Sequence, residues 1–281
     1  MSKDNAPPKS PWPASLKIEI DPGPKGAVLG KVQSYGPLTV SRPFHPVPDL
    51  LELALLHPPG GLVEGDRLDL EINLNPGANA LLTTPAAQKL YRARDWQTQR
   101  VAIKVNGGTL AYLPQETIVF AGAKGRLTLE AEVASDSRFL GWDIISLGGP
   151  ESLATGSLVK EMEITRNGDL LFKERLSWSL PEDLALLKSP LGLAGRKVAG
   201  VFWALGRADS NEAALLERAA EETLKEAPFS LWSGVTVKEG LLLARRLGSS
   251  PEKARAFLEI VWRRVTELWG GRVYRPRLWA T

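Results

Sequence analysis

The residues able to do chemistry are few in kind. The chain of 281 residues has no Cys, and His45 and His57 are its two imidazoles. Disulfides, iron–sulfur clusters, thiolate zinc sites and Cys nucleophiles are thereby excluded, and no all-His/Cys tetrahedral metal site can form within one chain. The sequence has no GxxxxGK[ST] loop, no GxGxxG after a strand, no HExxH and no GxSxG. The ordinary phosphate-loop, dinucleotide, zincin and hydrolase-elbow chemistries lose their support. What is left is oxygen chemistry. Two suitably separated carboxylates can hydrolyse a glycosidic bond, and sequence does not show that distance, so a β-rich carbohydrate-active enzyme is the alternative reading. Carboxylates, hydroxyls and carbonyls can also hold a first-row metal ion more weakly than thiolates or clustered imidazoles do.

Chemistry-bearing residues concentrate in segments denser in Gly, Pro and uncharged polar residues than strand alternation requires. The first, residues 57–66, runs from His57 through Gly60, Gly61 and Gly65 to Asp66. The second, 83–91, holds Thr83, Thr84, Gln88, Lys89 and Tyr91; the third, 113–123, begins with Leu113, Pro114, Gln115 and Glu116. Residues 140–148 contain Trp142 and Asp143, and the last segment is Pro276-Arg277-Leu278-Trp279. Many of these have a plain structural reading. Gly60, Gly61 and Gly65 are expected to shape turns, because Gly supplies positive φ and close backbone approach. Trp142 is expected in the core, His45 in a structural role between Pro43 and Pro46, and His57 on a turn beside Pro58 and Pro59. Thr83 and Thr84 can continue a strand, and Glu116, Asp143 and Glu174 can be exposed or salt-bridged acids.

The elements that position these residues follow from periodicity. From about Leu16 to Leu180 apolar and polar residues alternate with period two, as in Leu68-Asp69-Leu70-Glu71-Ile72-Asn73-Leu74, which predicts strands with one buried face. Asn106-Gly107-Gly108 and Asn167-Gly168 each separate two such runs and predict hairpins. After about Pro181 the period lengthens. Asp209 caps a predicted helix carrying Leu215, Leu216, Ala219, Thr223 and Leu224, and Ser250-Pro251-Glu252 opens another that Gly270-Gly271 stops. The second helix has an apolar stripe of Ala254, Phe257, Leu258, Val261, Trp262, Val265, Leu268 and Trp269, with Glu259 placed to pair with Arg255 and Arg263. No fixed-period repeat is visible. Strands first and helices last predict an α+β, mainly β fold, and alternation alone suggests a sandwich.

Residues 1–17, with Pro7, Pro8, Pro11 and Pro13 and no apolar core, are expected to be a flexible arm and neither signal nor anchor. No apolar run reaches the roughly 18 residues of a membrane span, so a soluble cytoplasmic protein is expected. The balance of 35 Lys+Arg against 32 Asp+Glu, net +3, is too mild to indicate nucleic-acid binding. Residues 245–277 nevertheless hold nine Lys or Arg against three Glu, which suits an acidic protein partner.

In this order and at these separations the segments resemble the urease accessory protein UreD family, called UreH in some organisms, from about residue 26 to the C-terminus. Gly149 stands where the family commonly has Arg. The resemblance implies a single domain over 18–281, an elongated β-helix-like body of many short strands to about 200, and two or more helices in a C-terminal part at about 205–281. It implies a non-enzymatic chaperone that binds urease apoprotein, joins UreF and through it the GTPase UreG, and delivers Ni²⁺ to the urease active site. Two copies are expected in the complex, with no nucleic acid, no membrane and no tightly bound cofactor, only Ni²⁺ in transit. Weak ligands suit a conduit that must release its cargo. The candidate nickel path is Asp66, Thr84, Gln88, Gln115, Glu116, Asp143, Glu174 and His57. Gly60, Gly61, Gly65, Lys89, Tyr91, Pro114 and Trp142 carry the family motif, and Arg272, Tyr274, Arg275, Arg277 and Trp279 are expected to contact UreF.

Overall fold

A computed structural model describes residues 12–149, 151, 153–226 and 232–280. Residues 1–11 of the expected arm lie outside that range. The arm was expected to reach Lys17, but strand β1 already begins at Pro13 (Pro13–Asp21), because Ala14, Leu16, Ile18 and Ile20 alternate inward and are buried. After β2 (Val28–Tyr35) and β3 (Thr39–Val40) the chain repeats one path three times. The first coil is β4 (Leu51–Leu56), β5 (Gly61–Leu62) and β6 (Arg67–Leu74); the second is β7 (Ala78–Thr83), β8 (Gln88–Leu90) and β9 (Gln97–Val105). The third is β10 (Gly108–Leu113), β11 (Thr117–Phe120) and β12 (Lys124–Val133). The long strand β13 (Ser137–Gly148) then pairs with β10 through its first half and with β11 through its last, so it does the work of two short strands. Strands β14 (Gly156–Arg166) and β15 (Asp169–Leu180) follow, then α1 (Leu184–Lys188), β16 (Val198–Leu205), α2 (Ser210–Glu226), β17 (Ser233–Lys238), β18 (Leu241–Gly248), α3 (Pro251–Leu268) and a 3₁₀ turn, Arg277–Ala280.

Among the described residues the strands form a seven-stranded and an eleven-stranded sheet, stacked as the two walls of a β-solenoid. In the first, β14, β12, β9, β6 and β1 run parallel, with β15 and β2 antiparallel at the ends. In the second, β4, β7, β10 and β13 run parallel, and β16, β18 and β17 extend it antiparallel. Each coil advances roughly 30 residues, a usual solenoid repeat. Side-chain bonds from coil to coil accordingly join residues 30, 31 and 32 apart. The repeat lies in pairing geometry and not in residue identity, so it left no period in the sequence.

The alternation has a clear cause. The first sheet faces water on one side, where Asp69, Arg100 and Glu130 form a cross-strand charge ladder at 3.4 and 2.7 Å. Its other face, with Leu70, Val101 and Leu129, closes the lumen. The second sheet is buried on both faces. Its inner residues, such as Phe139, Ile145 and Trp203, fill the lumen, whereas Leu140, Trp142 and Phe202 pack outward under α2 and α3. Strands covered on both sides read as continuous apolar runs. The run Leu241-Leu242-Leu243-Ala244 in β18 accordingly shows no alternation and does not stand out from a helical C-terminal part. The hairpin β17–β18 stands between the two long helices and corrects that expectation.

Of the two expected hairpins, β14–β15 is one, turning at Asn167 (φ 50) and Gly168. The other is not. Asn106-Gly107-Gly108 carries the chain from β9 in the first sheet to β10 in the second, a solenoid corner. A Cβ on Gly108 would lie 2.0 Å from the Ala78 carbonyl oxygen of the preceding coil, so the close stacking itself requires glycine there. The helix starts are as expected: Asp209 accepts from the Glu212 N–H at 2.8 Å, and Ser250 accepts from the Lys253 N–H at 3.1 Å. Glu259 does not take Arg255 and Arg263; these pair with Glu116 and Glu226 and tie α3 to the body and to α2.

Candidate functional site

Parallel pairing brings the scattered segments to one place. The link between β4 and β5 (His57–Gly60), that between β7 and β8 (Thr84–Ala87), that between β10 and β11 (Pro114–Glu116) and the middle of β13 (Trp142, Asp143) occupy the same corner on successive coils. Backbone and side chains stitch them together. The Gln115 N–H donates to Thr84 Oγ1 at 2.9 Å, the Gln88 N–H to the Glu116 carbonyl at 3.0 Å, and the Trp142 indole to the Pro114 carbonyl at 2.7 Å. Gly61 lets β5 approach β8: a Cβ there would lie 2.6 Å from the Tyr91 ring and 2.8 Å from the Lys89 carbonyl. Tyr91 in turn stacks on Phe120 of the next coil at 5.6 Å. Gly60 and Gly65 take positive φ in the turns on either side of β5, as expected.

Inside this corner lies a cavity of about 120 Å³. His57, Thr84, Gln88, Gln115 and Asp143 line it from the corner, and Gln99, Tyr112, Thr117, Thr128, Lys160 and Glu161 add to its polar wall. Five of the eight candidate path residues therefore meet. Burial holds the His57 imidazole below its ordinary pKa, with the nearby Asp66 charge opposing the shift. Burial pushes the Tyr112 phenol well up, and the Asp143 charge adds to it, so the hydroxyl keeps its proton. One amide nitrogen of Gln88 is buried without a hydrogen-bond partner.

The other three candidates do not line the cavity. Asp66 is buried, but its carboxylate accepts from the Val63 N–H at 2.9 Å and holds the turn into β6. Glu116 is taken by Arg255 of α3. Glu174 pairs with Arg245 at 2.8 Å and joins β15 of the first sheet to β18 of the second, at the last coil. Asp143 does face the cavity, yet it is paired with Lys160 at 2.6 Å. Asp143, Glu116 and Glu174 are thus each engaged with a base. Among the described residues no three His, Asp or Glu side chains come together as a metal cluster.

The polar lining residues that sequence reasoning missed include Gln99, Tyr112, Thr128, Lys160 and Glu161. A signal existed for two of them. Gln99 sits in the inward phase of β9 with Val101 and Ile103, and Lys160 in that of β14 with Leu158 and Met162, so each is a polar residue where alternation calls for an apolar one. In register across the sheet, Leu68, Gln99, Leu127 and Lys160 form one inward row.

Within the chain the C-terminal segment makes its own contacts. Trp279 is buried against Trp142 and Trp262, with ring centroids 5.1 and 5.5 Å away, and its indole N–H donates to Thr83 Oγ1 at 2.9 Å. The bond satisfies the indole N–H that burial would otherwise leave unpaired. Tyr274 lies beside Glu52, whose carboxyl is raised in pKa by burial, and Arg277 stands 5.9 Å over the Phe44 ring. Arg272 and Arg275 are exposed. Arg272 and Tyr274 line a cleft of about 390 Å³ between the second sheet and the end of α3. Gly149, at positive φ, has open space around its Cβ position.

These features define a β-solenoid with one helix-covered sheet and a polar cavity at a stacked corner. Residues 13–280 match the family described as UreD urease accessory protein, and the chain belongs to that family. It is 36% identical over 284 residues to the urease accessory protein UreD of Alkalilimnicola ehrlichii, covering 99% of this chain and 94% of that one. The UreD of Marinobacter nauticus is 35% identical over 287 residues, covering 96% and 93%. UreD 2 of Brucella anthropi is 37% identical over 279 residues, covering 96% and 98%.

Proposed function

We propose that this urease accessory protein is a cytoplasmic nickel-insertion chaperone with no reaction of its own. It binds urease apoprotein and, with a UreF-like protein and through it a UreG-like GTPase, passes Ni²⁺ toward the urease active site, with two copies in the assembly. The observation that carries this reading is the corner cavity. Five candidate path residues from the three coils and β13 line it with carboxylate, amide, hydroxyl and one imidazole, a donor set that can meet Ni²⁺ and still let it go. Among the described residues no helix is long and apolar enough to cross a membrane.

The test is co-expression with the host urease subunits and the UreF-like and UreG-like proteins, followed by size-exclusion chromatography and nickel quantification in the urease fraction. Co-elution with apo-urease and nickel content that depends on this chain are the expected result. Separate elution with unchanged nickel content would refute it. Within that assay Asp143→Lys should lower nickel loading while the complex still assembles.

A further inference from the structure

The lumen carries a cation of its own. Among the described residues that line the corner cavity, Lys160 is the one Lys or Arg. Its side chain is 10% exposed, and its ammonium lies 2.6 Å from the Asp143 carboxylate, itself 24% exposed. The two come from opposite walls, Lys160 from β14 in the first sheet and Asp143 from β13 in the second. In the inward row Lys160 has Leu127 on one side and Leu176 on the other. A leucine would complete that row, and desolvation offsets most of what a buried ion pair gains, so stability alone is a weak reason for the pair. The pair is also the place where a cation would settle. Asp143 supplies the carboxylate that meets the ammonium there; Glu161, which also lines the cavity, is paired with Arg175 at 3.4 Å, and Gln99, Gln115 and Tyr112 add neutral polar groups to the lining.

We infer that Lys160 is a tethered stand-in for the cation this cavity admits. It occupies the place at Asp143 when no metal is present and keeps the buried carboxylate neutralised. A divalent cation takes Asp143 only by displacing the ammonium, and the ammonium returns when the ion moves on. Lys160 therefore lowers affinity and speeds release, because an ammonium and a divalent ion at one carboxylate repel each other strongly in a medium of low dielectric. The inference rests on the reading that a metal ion enters this cavity as cargo. It makes Lys160 the residue that sets how loosely the ion is held.

Ni²⁺ binding to the purified full chain, by equilibrium dialysis in chelator-free buffer, tests it. The chains compared are the native protein, Lys160→Met, Lys160→Gln and the double variant Lys160→Met/Asp143→Asn, each checked by circular dichroism and thermal melting. Lys160→Gln keeps a hydrogen-bond donor for Asp143 and guards against loss of folding in Lys160→Met. The expected result is at least tenfold tighter Ni²⁺ binding in the folded single variants and a return to native weakness in the double variant. An unchanged affinity in the folded single variants, or a gain that persists without the Asp143 carboxylate, would overturn the inference. A parallel co-expression arm measures nickel in urease. Lower loading with Lys160→Met than with the native chain supports retention of the ion, whereas loading that never depends on the native chain refutes delivery and leaves the dialysis result to decide the role of Lys160.

Discussion

Single side chains in this protein differ sharply in what they hold. The charge ladder on the wet face is abundant but weak: Arg100→Ala removes exposed contacts to Asp69 and Glu130 and should cost about 1 kcal/mol or less in urea denaturation, with the loss shrinking further in high salt. Trp279 is the opposite case. Trp279→Ala should cost about 3–5 kcal/mol by emptying the slot between Trp142 and Trp262, and Thr83→Val about 1–3 kcal/mol by orphaning the indole N–H and the Leu113 carbonyl. Acid should weaken the fold through His57. Its pKa is lower in the folded than in the unfolded chain, so its contribution is present above about 6.5 and is lost as pH falls through that value toward the folded pKa. Melting temperatures across pH 5 to 8 for the native chain and His57→Gln check this; an equal acid dependence in both would remove His57 as the cause.

At the scale of elements, turns decide the architecture more than strands do. The strands β6 and β9 read clearly as amphipathic, but a strand says nothing about which neighbour it pairs with. Asn106-Gly107-Gly108 and Asn167-Gly168 offer the same turn chemistry, and the first crosses between sheets while the second reverses within one. The difference is tertiary. The Gly107 N–H donates to Ser137 Oγ at 2.7 Å, and Ser137 donates to the Val105 carbonyl at 2.9 Å, so the first turn is built against the corner of the next coil. Gly108→Ala should destabilise by more than about 3 kcal/mol, since the added methyl meets Ala78 backbone and the φ of 101° disfavours any side chain. The same change at Gly168, where nothing lies within 4 Å, should cost only the strain of its φ, about 1 kcal/mol. Thermal denaturation of the two variants side by side reads the contrast directly.

For the whole molecule, the C-terminal segment joins the helical layer to the corner that holds the cavity. Trp279 packs on Trp142, whose indole bonds Pro114, and Arg255 of α3 holds Glu116, the last residue of the same corner. A chain cut before Arg272 loses Trp279 and should melt well below the native protein, so loss of partner binding by such a truncation reports folding as well as contact. Arg272→Glu keeps Trp279 in place. On the proposed function it should lower binding to the UreF-like partner at least tenfold in a pull-down titration with the melting temperature unchanged; unaltered binding would move the interface elsewhere. Much was legible without coordinates. Period-two and period-3.6 patterns, cap residues, the Asn167-Gly168 hairpin and the Gly- and Pro-rich segments around His57, Thr84, Pro114 and Trp142 are local properties, written in the order of side chains along the chain. Contact across the solenoid is not local. Only the tertiary structure decided that those segments stack on one corner, that Glu116 and Glu174 are spent on arginines, that Trp279 turns inward, and that Lys160 faces Asp143. Each of these depends on which strand lies beside or opposite which, and parallel pairing between coils is set by burial of the whole lumen, a quantity no short stretch of sequence contains.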